Sequence, residues 1–497
     1  MREKLTGRIS GMPTHPLHEE ILEPQFAYEV ENLLPAYIQI ELVMLFEYVR
    51  MGYIPKPEAQ KISDLLLSIN HDTLTADPTK NMSDIAFAIE RTVESSLPAS
   101  VPAWHMDRSR NDFQACAQVM FARSEWLELM EGLQTLIESM VVLAERYREM
   151  PMPGYTHYQT AQIITPGYYL TAIAEELLQT FTRWVQLYDE INQCPLGSGA
   201  MSGTELDWDR NRLSGLLGFR QPRSNALVAV ASREWVLRIS SECSVLSVLL
   251  SRFVTDLIQW GNSEMRLIDL PDELSGISSA MPQKKNFPIL ERIRGKSAHL
   301  SAFHLDMVLG QRNTPFTNLV EVSKEAGTHL WTLFQTCKSL FRLLTVVTDH
   351  LSFKEKEMLA ICQRDFFGGF TLANRLTMRE NIPYRTSQVI AGKYIMSLIQ
   401  QGLKPSDKHP QLLREKCAEE GFEVSDLSDI LADVFDVQGN LYVKRSTGST
   451  HPEQVRKRLM VQKDRVQDLD RERRRRLKQL VTAETERKRL LQELSST

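Results

Sequence analysis

Ser224–Trp260 reads SNALVAVASREWVLRISSECSVLSVLLSRFVTDLIQW, a stretch with neither proline nor glycine. Leu237, Val245, Leu249 and Phe253 recur in it at helical spacing. About 36 residues in one helix would span roughly 54 Å at 1.5 Å per residue. Ala103–Met150 is also free of proline and carries only Gly132, and segments 166–192, 289–312 and 328–349 behave alike. Helices of ordinary domains average about 11–12 residues. One subunit can hardly bury both faces of such rods, so the pattern predicts an all-α helix bundle that continues across subunits.

The boundaries follow from the punctuation. Residues 1–112 are expected to hold shorter helices broken at Pro35, Pro55, Pro57, Pro78 and Pro98, and 113–360 the long-helix bundle. After Gly368-Gly369, residues 361–464 should form a small helical domain, in which only runs such as Asn440–Val443 could pair as a hairpin. Residues 465–497 differ, with RERRRR at Arg471–Arg476 and Val466, Leu469, Leu477, Leu480 and Val481 at roughly helical intervals. They read either as a basic arm for nucleic acid or as a solvated terminal helix with one greasy edge, and the second fits the pattern better.

Composition narrows the class. The chain has 497 residues, enough for about three domains. Apolar residues make up 42% and charged residues 24%, the mix of a folded protein. A net charge of −5 argues against binding nucleic acid or membrane by bulk charge. No run approaches the roughly 18 apolar residues of a membrane span. The start, MREKLTGRISGMPTHP, lacks the apolar core of a secretion signal. Six cysteines without a C-x-x-C suggest neither a zinc knot nor a disulfide framework, so a reduced cytoplasm is expected.

Three loops between the rods are chemically loaded. Arg108-Ser109-Arg110-Asn111-Asp112 precedes the first rod; its guanidiniums suit a planar carboxylate, and its Ser, Asn and Asp equally suit a helix cap. Pro153–Gln159 places His157 between Thr156 and Tyr158, where it could shuttle protons or serve as a structural donor. Ser275–Asn286 sets small polar residues before Lys284 and Lys285, as a loop closing over an anion or as a surface connection. Gly197–Gly203 gives G-x-G-x-x-x-G without a βαβ context, and no H-E-x-x-H occurs, so neither nucleotide nor metal binding is indicated.

Together these loops resemble the aspartase/fumarase superfamily, and its argininosuccinate lyase branch in particular. Ser278, Met281-Pro282, Lys284 and Asn286 match the superfamily signature, while Arg108–Asp112, Met152–Gln159 and Pro195–Thr204 match three further loops in order. The resemblance runs from about residue 80 to 460. It implies a homotetramer with a shared bundle, sites built from three subunits, and cofactor-free, reversible elimination of an amine from an N-substituted aspartate to give fumarate. In that frame Ser278 is the base and Lys284 the cation that favours its alkoxide. Ser109, Arg110 and Asn111 hold carboxylates; Thr156, Gln159, Met281 and Asn286 contact substrate, and His157 assists the departing amine.

Departures bear on the amine. Ile277 precedes Ser278 and Phe287 follows Asn286, where the family has Gly and Pro. Asn318, Ser323 and Ala326 stand where it has Tyr, Gln and Lys around the arginine portion; a two-residue slip restores only Lys324. The family's early Gly-Ser is replaced near Leu33-Leu34. A site that loses such donors changes partner. The pattern resembles the ethylenediamine-N,N′-disuccinate (EDDS) lyases, relatives that add diamines to fumarate, so an N-(aminoalkyl)aspartate is the leading substrate class. Argininosuccinate is the alternative, and a non-catalytic scaffold a third.

Overall fold

The computed structural model describes residues 11–425 and 427–496. Most of the N-terminal stretch read for a secretion signal lies outside them. The long helices are α1 (Glu23–Arg50), α2 (Lys56–Ser68), α3 (Ile85–Ser96), α4 (Arg110–Arg146), α5 (Pro166–Ile191), α6 (Glu234–Trp260), α7 (Pro288–Gln311) and α8 (Leu330–His350), then α9 (Gly369–Glu380), α10 (Tyr384–Gln400) and α11 (Pro452–Ser495). Helices α4 to α8 form the central bundle around Trp126, Trp184, Phe253, Phe334 and Phe341, all fully buried. Gly132 is tolerated in α4 because a Cβ there would stand 3.1 Å from the Phe341 ring. The outer faces of α6 and α7 leave Val245, Val248, Leu305 and Leu309 exposed. One chain therefore does not cover the second face of these rods.

Three expectations about local structure are corrected. The stretch 224–260 is not one rod: a short helix, Ala226–Ala231, capped by Asn225, precedes α6. The Arg233 guanidinium turns back onto the carbonyls of Val230 and Ser232, which satisfies helix-end acceptors and fixes the break. Helix α1 continues through Pro35, where a break was expected. Leu33, Leu34, Tyr37 and Ile40 around it are buried, and their packing offsets the lost backbone hydrogen bond. Asn440–Val443 joins no strand pair among the described residues; Val437–Tyr442 is a helix capped by Asp436, whose carboxylate accepts from the Gly439 N–H.

The basic tail is not a merely solvated helix. Helix α11 crosses position 464 without a break and packs on α4, α5 and α2. Val466, Ala483, Leu490 and Leu494 are buried, whereas Leu477 and Val481 stay exposed. Within RERRRR, Arg473 and Arg476 are buried, Arg476 forking onto Asp189 of α5. Arg487 donates to the Leu216 carbonyl. Among the described residues no helix is long and apolar enough to cross a membrane.

Candidate active site

The helices place the loaded loops at opposite ends of the bundle. At one end lie the start of α4 and the start of α6, where Gln311 from the end of α7 donates to the Arg233 carbonyl at 3.2 Å. At the other end Tyr147, just past α4, packs edge-on to Phe353, which is also near Trp260 at the end of α6. Helix α4 has 37 residues and α6 has 27, so the ends are on the order of 40 Å or more apart. Arg110 and Asn111 cannot meet Ser278 or His157 of the same chain.

At the first end Ser109 caps α4, its Oγ accepting from the Asn111 N–H at 3.2 Å. Arg108 does not face a ligand: it is buried and forks onto Glu41, with Nη1 at 2.9 Å from Oε2. Asn111 Nδ2 donates to the Ala200 carbonyl at 3.1 Å. Asp112 Oδ2 accepts from the N–H groups of Gly197 and Gly199 at 2.9 and 3.0 Å. Both glycines have positive φ, and a Cβ on Gly199 would sit 2.4 Å from the Gly203 carbonyl oxygen. The glycine loop thus holds the carboxylate loop in place. Burial pushes the Asp112 carboxyl up to about 7, against the pull of the two N–H groups.

Arg110 and Asn111 open into a cavity of about 900 Å³ between α1, α4, the start of α6 and residues 318–330. Arg110 pairs with Asp84 at 2.7 Å. Asn318 and Ser323, two of the three positions at which the family's arginine-side groups are absent, line the same cavity, as does Lys324. So does Glu29, which sequence reasoning missed. It is 2% exposed, and its Oε1 accepts from Lys324 at 3.1 Å, Gln25 at 3.0 Å and Gln114 at 3.4 Å. Burial raises the Glu29 carboxyl and Lys324 opposes the rise. The available signal was an acid sharing a helical face with Leu33 and Tyr37, both of which line the cavity. Ala326 is buried and absent from the lining.

At the second end, Met152–Thr156 (β1) and Gln159–Ile164 (β2) form an antiparallel hairpin, where only a glycine loop was read. Its two-residue tip is His157-Tyr158, at φ +53° and +61°. Side chains avoid that region at a cost of about 1 kcal/mol or more each, so the tip is strained. Thr156, His157 and Gln159 are exposed, and Tyr158 is 79% exposed.

The signature loop is closed by Gly276 and Asn286, whose backbones exchange hydrogen bonds at 2.9 and 3.0 Å. Within it Ser278 Oγ accepts from the N–H of Met281 at 3.0 Å and of Ala280 at 3.4 Å. Those dipoles favour a negatively charged oxygen. The described ion pairs of the loop belong to Lys285, with Asp269 at 3.2 Å and Asp272 at 3.1 Å; Lys284 takes part in none of them. Lys284 and Met281 are exposed. Asn286 Nδ2 lies 3.5 Å from the Gly276 carbonyl, a loop-closing position.

A family model described as Lyase matches residues 71–301. Argininosuccinate lyase of Hahella chejuensis is 32% identical over 378 residues, covering 76% of this chain and 78% of that protein. Argininosuccinate lyase 1 of Shouchella clausii is 29% identical over 461 residues, covering 92% of each. The crystal structure of EDDS lyase in complex with formate superposes with a TM-score of 0.85 at 23% identity, covering 98% of this chain and 96% of that one, a likeness of fold. Fold, loops and relatives together define a carbon–nitrogen lyase of succinyl-type substrates. The chain belongs to the aspartase/fumarase superfamily, in its argininosuccinate lyase branch.

Proposed function

We propose that this lyase reversibly eliminates an amine from an N-(aminoalkyl)aspartate and releases fumarate. Ser278 takes the proton from the carbon next to one carboxylate, leaving an aci-carboxylate with two negative charges. The adjacent carbon–nitrogen bond then breaks, its electron pair leaves with the amine, and the double bond of fumarate forms. Water stabilises the intermediate poorly, so preorganised donors must do so, each worth about 10²–10³ in rate. Lys284, Asn286 and Thr156 take that role; Ser109, Arg110 and Asn111 hold the carboxylates with Gln159 and Met281 beside them. His157 protonates the leaving amine directly or through water. A serine hydroxyl titrates far above neutrality. The N–H groups of Met281 and Ala280 at its Oγ support the alkoxide reading, with Lys284 supplying the charge on closure of the loop.

The separation of the loops by the length of the bundle supports a site assembled from several chains of a homotetramer. The exposed apolar faces of α6 and α7 support the same assembly. The single observation that carries the substrate class is the cavity beside Arg110 and Asn111, with Asn318 and Ser323 in its wall in place of the family's larger donors. The relatives' names favour a second reading, argininosuccinate lyase itself. One assay separates them: incubate the protein with fumarate and ethylenediamine, follow fumarate absorbance, and offer argininosuccinate in parallel. Loss of fumarate with the diamine is expected. No loss, with argininosuccinate turned over well, overturns the proposal in favour of the second reading.

A further inference from the structure

The signature loop carries two lysines side by side, and the fold treats them differently. Lys285 Nζ lies 3.2 Å from Asp269 Oδ1 and 3.1 Å from Asp272 Oδ1, while Lys284 is exposed and joins no ion pair among the described residues. Asp269 ends a two-residue strand, Ile268–Asp269, that pairs with Ser352–Phe353, and its Oδ2 also meets Lys354 at 3.2 Å. Asp272 opens the short turn Asp272–Leu274 just before the loop, and its described ion pair is the one with Lys285. Two carboxylates therefore stand at the foot of the loop. Above them Ser278, Met281 and Lys284 form one hydrogen-bonded turn: the Met281 N–H donates to Ser278 Oγ at 3.0 Å, and the Met281 carbonyl accepts from the Lys284 N–H at 3.0 Å.

A lysine ammonium is a compact charge on a flexible stem and turns to whichever anion is near and unmatched. Consecutive Cα atoms are about 3.8 Å apart, well within the length of that stem, so Asp269 and Asp272 would be open to Lys284 if Lys285 did not hold them. An ammonium claimed by a carboxylate has little charge left to offer an alkoxide, because opposite charges in contact cancel at any distance beyond themselves. We propose that Lys285 is a positioning residue for the elimination: by occupying Asp269 and Asp272 it keeps the Lys284 ammonium free for Ser278 and for the charge that develops on the substrate. This role rests on the lyase reading and deepens it, since it names what keeps one of two adjacent cations available. A salt bridge that merely fastened the loop would behave differently, because deleting the acids could not repair its loss.

The test uses full-length variants, assayed with fumarate plus ethylenediamine and with argininosuccinate. Lys285→Met is expected to lower kcat about tenfold, the loss that follows when Lys284 spends about nine-tenths of its time on an acid, with KM changed less than about threefold. Lys285→Arg keeps the charge and should hold kcat within about threefold of the wild type. Adding Asp269→Asn and Asp272→Asn to Lys285→Met should restore most of the lost rate. A Lys285→Met variant with wild-type kcat overturns the proposal. So does a triple variant as slow as Lys285→Met, which would make Lys285 a tether of the loop. Lys284 is also read without turnover: its acetylation by acetic anhydride, located by mass spectrometry, should slow at least about threefold in Lys285→Met and recover in the triple variant, since an ammonium paired with a carboxylate gives up its proton less readily. Unchanged acetylation in Lys285→Met overturns the proposal. If neither substrate is turned over by the wild type, the elimination reading fails by itself, and the acetylation rates decide the relation of the two lysines alone.

Discussion

The two ends of the bundle handle their polar groups in opposite ways. At the cavity end nearly every charged group is already matched by the chain itself: Arg108 by Glu41, Arg110 by Asp84, Lys324 by Glu29, and Asp112 by two backbone N–H groups. At the hairpin end His157 and Tyr158 sit exposed on a strained turn, and among the described residues Ser278 Oγ accepts from the backbone of its own loop. The first end is prebuilt by burial and charge pairing, as the proposed recognition of substrate there requires. On the proposed mechanism the second holds the reactive groups, which then need a neighbouring surface to exclude water, without which electrostatic stabilisation is weak.

If this division is right, changes at the hairpin end should remove turnover and spare stability. Ser278→Ala is expected to lower kcat by about 10³-fold or more with an unchanged melting temperature and assembly state, read by steady-state kinetics, thermal melting and light scattering. Near-full rate in that variant would remove Ser278 from the mechanism. Lys284→Met should cost about 10²–10³-fold in kcat, because it deletes a cation where charge develops. A pH-independent loss confined to KM would instead mark Lys284 as a binding group only.

Mixing chains sharpens the comparison further. Ser278→Ala and Asn111→Ala subunits, each inactive alone, carry their defects at opposite ends. Hybrid assemblies formed from them should regain measurable fumarate turnover, and no recovery from verified hybrids would argue against shared sites.

The cavity end should respond in stability. Removing residues 465–497 strips Val466, Ala483, Leu490 and Leu494 from their packing, at about 1.5–3 kcal/mol for each large side chain, and should lower the melting temperature by several degrees. A truncated chain that melts like the full one would show that α11 merely rests on the bundle. Asp112→Ala leaves the N–H groups of Gly197 and Gly199 without their acceptor and should cost about 2–4 kcal/mol in chemical denaturation.

The last effect is a pH slope. The Asp112 carboxyl titrates near 7 when folded, against an ordinary value of 3.8. Between those values the folded chain holds a proton that the unfolded chain has lost. This group's contribution is therefore full below about pH 4 and falls as pH rises to about 7, by up to about 1.4 kcal/mol per unit. Asp112→Asn should flatten that segment of the stability profile, and an unaltered slope would assign it to other groups.

The bundle was legible in the sequence because long proline-free stretches with helical apolar spacing leave few alternatives. The expected segments 166–192, 289–312 and 328–349 lie within two residues of α5, α7 and α8 at each end. The breaks were less legible. Pro35 does not end α1 because buried neighbours outweigh one lost bond, whereas Ser232-Arg233 ends a helix in a stretch with no breaker, through a guanidinium that folds back onto the carbonyls just before it, which apolar periodicity does not encode. Charge spacing likewise suggested a solvated RERRRR, but burial of Arg473 and Arg476 depends on where α5 passes.

By itself, the order of residues along the chain determined the helical class, the four loops and the kinds of group each carries, since these follow from local periodicity and side-chain chemistry. Only the tertiary structure decided that Arg108 belongs to Glu41, that Glu29 faces Lys324, and that the Ser278 and Asn111 loops stand a bundle apart. Those facts are contacts between segments remote in the chain, and burial and charge pairing are set by such contacts.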